Sequence, residues 1–274
     1  MTPVERAPAT MAGPAVVALV CAASLREMIR RRTFVFLFLV CSIPFVLSLI
    51  WRSWGSEHLD AASFFTNLVS SVYLQILVYL VALAFGVPTV HSEIQGRTIT
   101  YLFTRPVNKL WVYAGRLLAV QITGGVLLAA SLIVCFAMLT AGNFEVVTFE
   151  FIKAYLNHVV LVLLATVCVI GICAIFGTAF GRPIVWATIY CFGWEAIVSK
   201  FPSDLRLYTV NFHIRNLLFD DNDVVAGLMD FLRDMLVQDA EVSAATSVGA
   251  LAFILVGAAL LGGLIFGRRE YVIS

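Results

Sequence analysis

Residues 154–181 read AYLNHVVLVLLATVCVIGICAIFGTAFG, twenty-eight consecutive positions without an aspartate, glutamate, lysine or arginine. An uncharged apolar run of about 18 residues or more has the length of a helix that crosses a bilayer. The same four residue types are missing from residues 33–51, 61–90, 117–144 and 242–267. The chain as a whole follows suit, with 274 residues, 61% of them hydrophobic and only 13% charged, and a mean hydropathy of +0.96. Ordinary globular chains are about 45–50% apolar and about 25% charged. The excess apolar surface requires a bilayer as second solvent, which excludes folds built for a mostly water-soluble chain. A net charge of +1 gives no ground for a nucleic-acid partner.

A sixth apolar segment, residues 183–198, is shorter and contains Glu195, but Ile184, Val185, Trp186, Ile189, Tyr190, Phe192 and Trp194 make it too apolar for a loop. It follows Gly181-Arg182-Pro183, where glycine closes one helix and proline opens the next, so a tight helical hairpin is expected. Residues 14–32 differ. An apolar first half runs into Arg26, Glu27, Arg30, Arg31 and Arg32, with Arg26 and Arg30 on one helical face and Cys21, Ala22, Leu25, Met28 and Ile29 on another. That pattern suits a helix lying in the interface better than one crossing the membrane, with a seventh crossing as the alternative. The reading is an all-α integral membrane protein: an amino-terminal amphipathic interfacial helix at 14–32, then six transmembrane helices at 33–51, 61–90, 117–141, 156–181, 183–198 and 244–267. Residues 1–14 lack the basic region of a secretory signal, so the first segment is expected to remain.

Six crossings put both termini on one side. Cytoplasmic segments of membrane proteins are enriched in lysine and arginine. With the amino terminus inside, the inner face holds twelve of the eighteen basic residues against four acids, and the outer face six against twelve. The charge distribution therefore predicts a multi-pass protein with both termini cytoplasmic and residues 199–241 as a long extracytoplasmic loop.

Chemistry at membrane depth would need ionisable groups or a metal within the spans, because charge there is costly. No zinc-protease, nucleophile-elbow or phosphate-loop motif occurs, and no catalytic residue, cofactor or metal site is expected. The six cysteines all fall inside apolar stretches, as small hydrophobes rather than a disulfide or zinc set. His58, His91, His158 and His213 are isolated at membrane edges or in loops. Glu195, the one acid within a span, reads either as a hydrated residue at the outer boundary or as part of a transport or gating path. Asn67, Ser71 and Gln75, at i, i+4 and i+8 of the second span, form one polar stripe that either lines a substrate path or joins helix to helix. The acidic run at Asp220, Asp221 and Asp223 lacks the spaced ligands of a calcium loop and reads as a solvated turn.

The inner connection, residues 91–116, reads HSEIQGRTITYLFTRPVNKLWVYAGR and is too patterned for a plain linker. Thr98 is placed to cap a short helix through Tyr101, Leu102 and Phe103; Pro106 ends it and draws Arg105 into an extended conformation. The order Glu93-x-x-Gly96-x-Thr98, then Leu102, Arg105-Pro106-Val107 and Gly115-Arg116-Leu117-Leu118, resembles the E-x-x-G-T-x-x-x-L-L-x-x-P-V…G-K-L-L pattern of type-2 ABC exporter permeases. Arg97 intervenes where the family often has adjacent Gly-Thr, and Arg116 replaces the commoner lysine.

The resemblance implies a permease domain over the whole chain, with residues 91–116 as a cytoplasmic coupling loop. Glu93, Gly96, Arg97, Thr98, Tyr101, Leu102, Arg105 and Pro106 would fit a cleft on a separate cytoplasmic ABC ATPase, and residues 14–32 would add a second contact. ATP would be bound by that partner, so the permease itself would not be an enzyme. A second permease half, identical or merely similar, would complete the transporter in a bacterial inner membrane. Residues 199–241 would supply re-entrant or interfacial helices of an outer gate. Two rival readings are an integral membrane enzyme that modifies lipids and a non-transporting anchor for a soluble complex.

Overall fold

A computed structural model describes residues 13–54, 61–89, 109–141, 149–199, 204–219 and 243–268. These residues form helices, and no strand occurs among them. Five helices have the length and apolarity to cross a membrane: Arg32–Ser53, Ala61–Gly86, Lys109–Thr140, Phe151–Ala179 and Ala244–Arg268. Pro183–Val198 is a shorter apolar helix. At 1.5 Å per residue its 16 residues reach about 24 Å, less than a hydrocarbon core of about 30 Å.

The side-chain contacts fix how the helices alternate. Gly177 of the fourth span lies against Val87 at the end of the second, and Gly262 of the last span against Tyr113 near the start of the third. At the other end Arg52 donates to the Met138 carbonyl at 3.1 Å, and Phe65 packs on Phe136 and Tyr155. The chain thus crosses back and forth between two ends. One carries Arg31, Arg32, Arg116, Arg182 and Arg268 and is called the basic end below.

Three helices depart locally from regular α-helix, and the first departure has a visible cause. Within the first span, Arg32–Cys41 and Ile43–Trp54 are separate helices. Pro44 lacks an N–H, and the break at Ser42 is tied off by Ser42 Oγ donating to the Phe38 carbonyl at 2.9 Å. The second span is π-helical over Val69–Leu77 and Ala82–Gly86, and the fifth over Ile189–Val198; single-turn π segments favour functional regions, and these are longer. The helix Gly13–Arg30 runs beside the third-span helix in the same direction. Gly13 meets the Trp111 ring, Gly115 meets the Val17 carbonyl, and Thr123 Oγ1 lies 3.7 Å from Met28 Sδ. The third-span helix starts at Lys109, ahead of the uncharged run at 117, and Trp111 in its first turn lies against Gly13.

The fourth span is the hub. Cys168, Val169, Ile170, Cys173 and Ala174 are fully buried, and Gly86 and Gly171 bring the second and last spans against it. Small residues let backbones approach where no hydrophobic effect separates helix from lipid. A hydrogen-bonded chain ties three spans: Tyr73 Oη meets Ser131 Oγ at 2.9 Å, and Ser131 Oγ donates to the Cys41 carbonyl at 2.6 Å. All six cysteines are free thiols.

Candidate functional site

At the basic end the described chain stops at Thr89 and resumes at Lys109. Arg116, one turn or more into the third helix, donates from Nη1 to the Thr89 carbonyl at 3.1 Å. It thereby clamps together the two roots of the inner connection. Glu93, Gly96, Arg97, Thr98, Tyr101, Leu102, Arg105 and Pro106 all lie outside the described residues. Their base is nonetheless defined: the amino-terminal helix, the end of the second span and the start of the third enclose a cavity of about 150 Å³ bordered by Glu27, Arg31, Thr89 and Arg116. Glu27 and Arg31 form an ion pair one helical turn apart.

At the opposite end Glu195 is fully buried, which overturns its reading as a hydrated boundary residue. Its carboxylate accepts from the Tyr190 hydroxyl and from the backbone N–H groups of Val210 and Asn211, both at 3.0 Å. These amides open the helix Val210–Phe219. Thr209 Oγ1 accepts from the Phe212 N–H at 3.4 Å, so three of the four amides that a helix start leaves unpaired are satisfied. The positive end of the helix dipole faces the carboxylate. No basic side chain pairs with it among the described residues.

The same helix is fastened at its other contacts. Asn211 donates to Ser199 Oγ at 3.1 Å. His213 Nε2 lies 2.8 Å from the Leu207 carbonyl and its Nδ1 3.3 Å from Ser247 Oγ, while Asn216 donates to Ser247 at 3.1 Å. Val210, Ile214 and Leu218 fill the space between the fourth and last spans. The Tyr79 hydroxyl and Arg215 Nε are buried without a hydrogen-bond partner among the described residues. Burial holds the Arg215 guanidinium below its usual pKa.

Sequence reasoning found Glu195 but missed what it holds. Tyr190 is five residues away, a separation that places two side chains together on a π-helix but not on an α-helix. Thr209 preceding Val210 was the readable signal, an N-cap residue before an apolar run. The second-span stripe divides: Asn67 and Ser71 are exposed on the flank of the bundle and Gln75 is half-buried. Among the described residues, the Asn67 and Ser71 side chains show no hydrogen bond to another helix.

A family model described as ABC-2 family transporter protein matches residues 28–193. The chain belongs to the ABC-2 transporter family. No curated protein matches it. The matched region runs from the end of the amino-terminal helix through the first four spans and the inner connection, and ends two residues before Glu195. This ABC-2 protein is therefore a multi-pass membrane component of a transporter, a family whose members work in general with an ABC ATPase and are not themselves catalytic.

Proposed function

We propose that this ABC-2 protein is the membrane-spanning half of an ATP-driven exporter in a bacterial inner membrane. The observation that carries the reading is the family match, which covers residues 91–116 together with the spans on either side of them. Residues 91–116 receive the motion of a cytoplasmic ATPase through Glu93, Gly96, Arg97, Thr98, Tyr101, Leu102, Arg105 and Pro106. The Arg116 clamp on Thr89 supports this role, because a push on the connection is passed to the second and third spans together. The charge asymmetry supports a cytoplasmic basic end and cytoplasmic termini.

A second half, identical or similar, faces the flank that carries Asn67 and Ser71. Two exposed polar side chains at membrane depth are better accommodated against a partner or a hydrated path than against lipid. Asn67, Ser71 and Gln75 thus form one wall of the path. Glu195 closes the far end by holding the Val210–Phe219 helix in place. ATP-driven closure of the partner rotates the two halves between inward- and outward-facing states.

The test is co-purification of a cytoplasmic ATPase with the intact chain, followed by ATP-dependent transport in reconstituted vesicles. Glu93→Ala combined with Arg105→Ala lowers ATP-dependent transport by about tenfold or more without changing thermal unfolding of the permease. An ATPase that never associates, or transport indifferent to both substitutions, rejects the proposal.

A further inference from the structure

The cavity at the basic end has a composition that the coupling role does not require. It measures about 150 Å³, and its walls join two kinds of surface. Ser24, Glu27, Arg31, Thr89 and Arg116 give it a polar side, while Met28, Ala84, Phe85 and Pro88 give it an apolar one. Its position along the chain is equally specific. Arg31 and Thr33 flank the start of the first span, Thr89 follows the second, and Arg116 precedes the uncharged run of the third. The cavity therefore stands at the level where hydrocarbon gives way to headgroups.

We propose that this cavity binds the phosphodiester of an anionic membrane phospholipid, with the guanidinium groups of Arg31 and Arg116 as its cationic walls. Guanidinium is planar, weakly hydrated and matched to phosphate oxygens, and one Arg116 donor is already fixed in direction by the Thr89 carbonyl at 3.1 Å. Glu27 is paired with Arg31, and the described walls carry two guanidinium groups against one carboxylate, a balance that suits an anionic phosphodiester. Arg26, Arg30 and Arg32 are exposed on the same helix and where it meets the first span and add to the attraction for an acidic lipid surface. A volume of about 150 Å³ is that of about five water molecules at roughly 30 Å³ each, enough for a phosphate group and the first glycerol carbon. Below it, Val35, Phe36, Phe38 and Leu39 are exposed along the first span and offer acyl chains a continuous apolar surface. A free phosphate ion uses the guanidinium groups but leaves this surface without a role.

The proposal holds whichever leaflet the basic end faces, so it stands or falls separately from ATP-driven export. The experiment takes the intact chain in detergent and counts bound lipid by native mass spectrometry against phosphatidylglycerol, phosphatidylcholine of the same chains, and inorganic phosphate as competitor. Phosphatidylglycerol is expected to bind about tenfold more tightly than phosphatidylcholine, and Arg31→Gln or Arg116→Gln to remove on the order of tenfold each. Arg182→Gln, at the same end but outside the cavity, leaves binding unchanged. Arg31→Gln alters a partly exposed rim residue, and lipid-free thermal unfolding verifies that the variant is folded. Equal affinity for both lipids, displacement by inorganic phosphate, or equal losses from the Arg182 and Arg31 variants would each overturn the proposal.

Discussion

Gly177 and Gly257 show how the same residue type is required at one position and dispensable at another. A Cβ at Gly177 would lie 2.4 Å from the Val87 carbonyl oxygen, whereas one at Gly257 would meet nothing within 4 Å. Backbone cannot yield as a side-chain tip can. Gly177→Ala is therefore expected to lower stability by about 1–3 kcal/mol through overpacking, and Gly257→Ala to leave it unchanged or raise it by up to about 1 kcal/mol through helix propensity. Thermal unfolding in detergent separates the two. Glu195 makes a sharper case. A carboxylate offers two acceptor oxygens to the Tyr190 hydroxyl and to two N–H groups, whereas glutamine would turn an NH₂ toward one of them. Glu195→Gln is expected to cost about 1.5–3 kcal/mol, read as faster hydrogen exchange across residues 210–219. A loss of transport with no change in exchange would assign Glu195 to the path itself.

At the scale of elements, the three breaks in regular α-helix differ in how far the sequence announced them. Pro44 marks the first-span break for anyone who asks which N–H is missing. The π segment at residues 69–77 carries no such mark, since it contains neither proline nor glycine. The buried chain from Tyr73 through Ser131 to Cys41 was equally hidden, because its members come from three helices. Tyr73→Phe is expected to destabilise the bundle by about 0.6 kcal/mol, the average for an interhelical hydrogen bond in a membrane, Ser131→Ala by more because it removes both bonds, and the double variant by less than the sum. An additive double variant would place the two side chains in separate interactions. The helix Val210–Phe219 sits inside residues 199–241, read from charge as a loop and from the family resemblance alone as re-entrant or interfacial helices, since ten residues of mixed polarity carry no spanning signal. Its burial comes from where its neighbours are.

For the whole molecule, alternation of the spans was legible because uncharged runs of 19 residues or more admit few other readings. The contacts between helix ends follow that alternation. Reporter fusions after residue 268 and within residues 220–240 are expected on opposite sides of the membrane, with the residue 268 fusion on the side that holds lysine and arginine. Fusions reporting one side would remove a crossing, and Pro183–Val198 is the short one. The inner connection was legible as a motif, and the ABC-2 match covers it. The amino-terminal helix was legible only in part. Its arginine face is exposed as the periodicity required, but Gly13, which carried no reading in the sequence, and Gly115, read there only as part of the family pattern, seat it along the third span.

The sequence by itself determined the solvent, the number of apolar segments, the distribution of charge and the family, because hydropathy and local motifs are properties of contiguous residues. Tertiary structure alone decided that Glu195 is dry and holds a helix start, that Arg116 joins the two roots of the inner connection, and that Arg31, Glu27 and Arg116 share one cavity. Those facts depend on which helices touch and at what height. A side chain's burial and partners are set across spans by residues tens of positions away, and no local pattern encodes that distance.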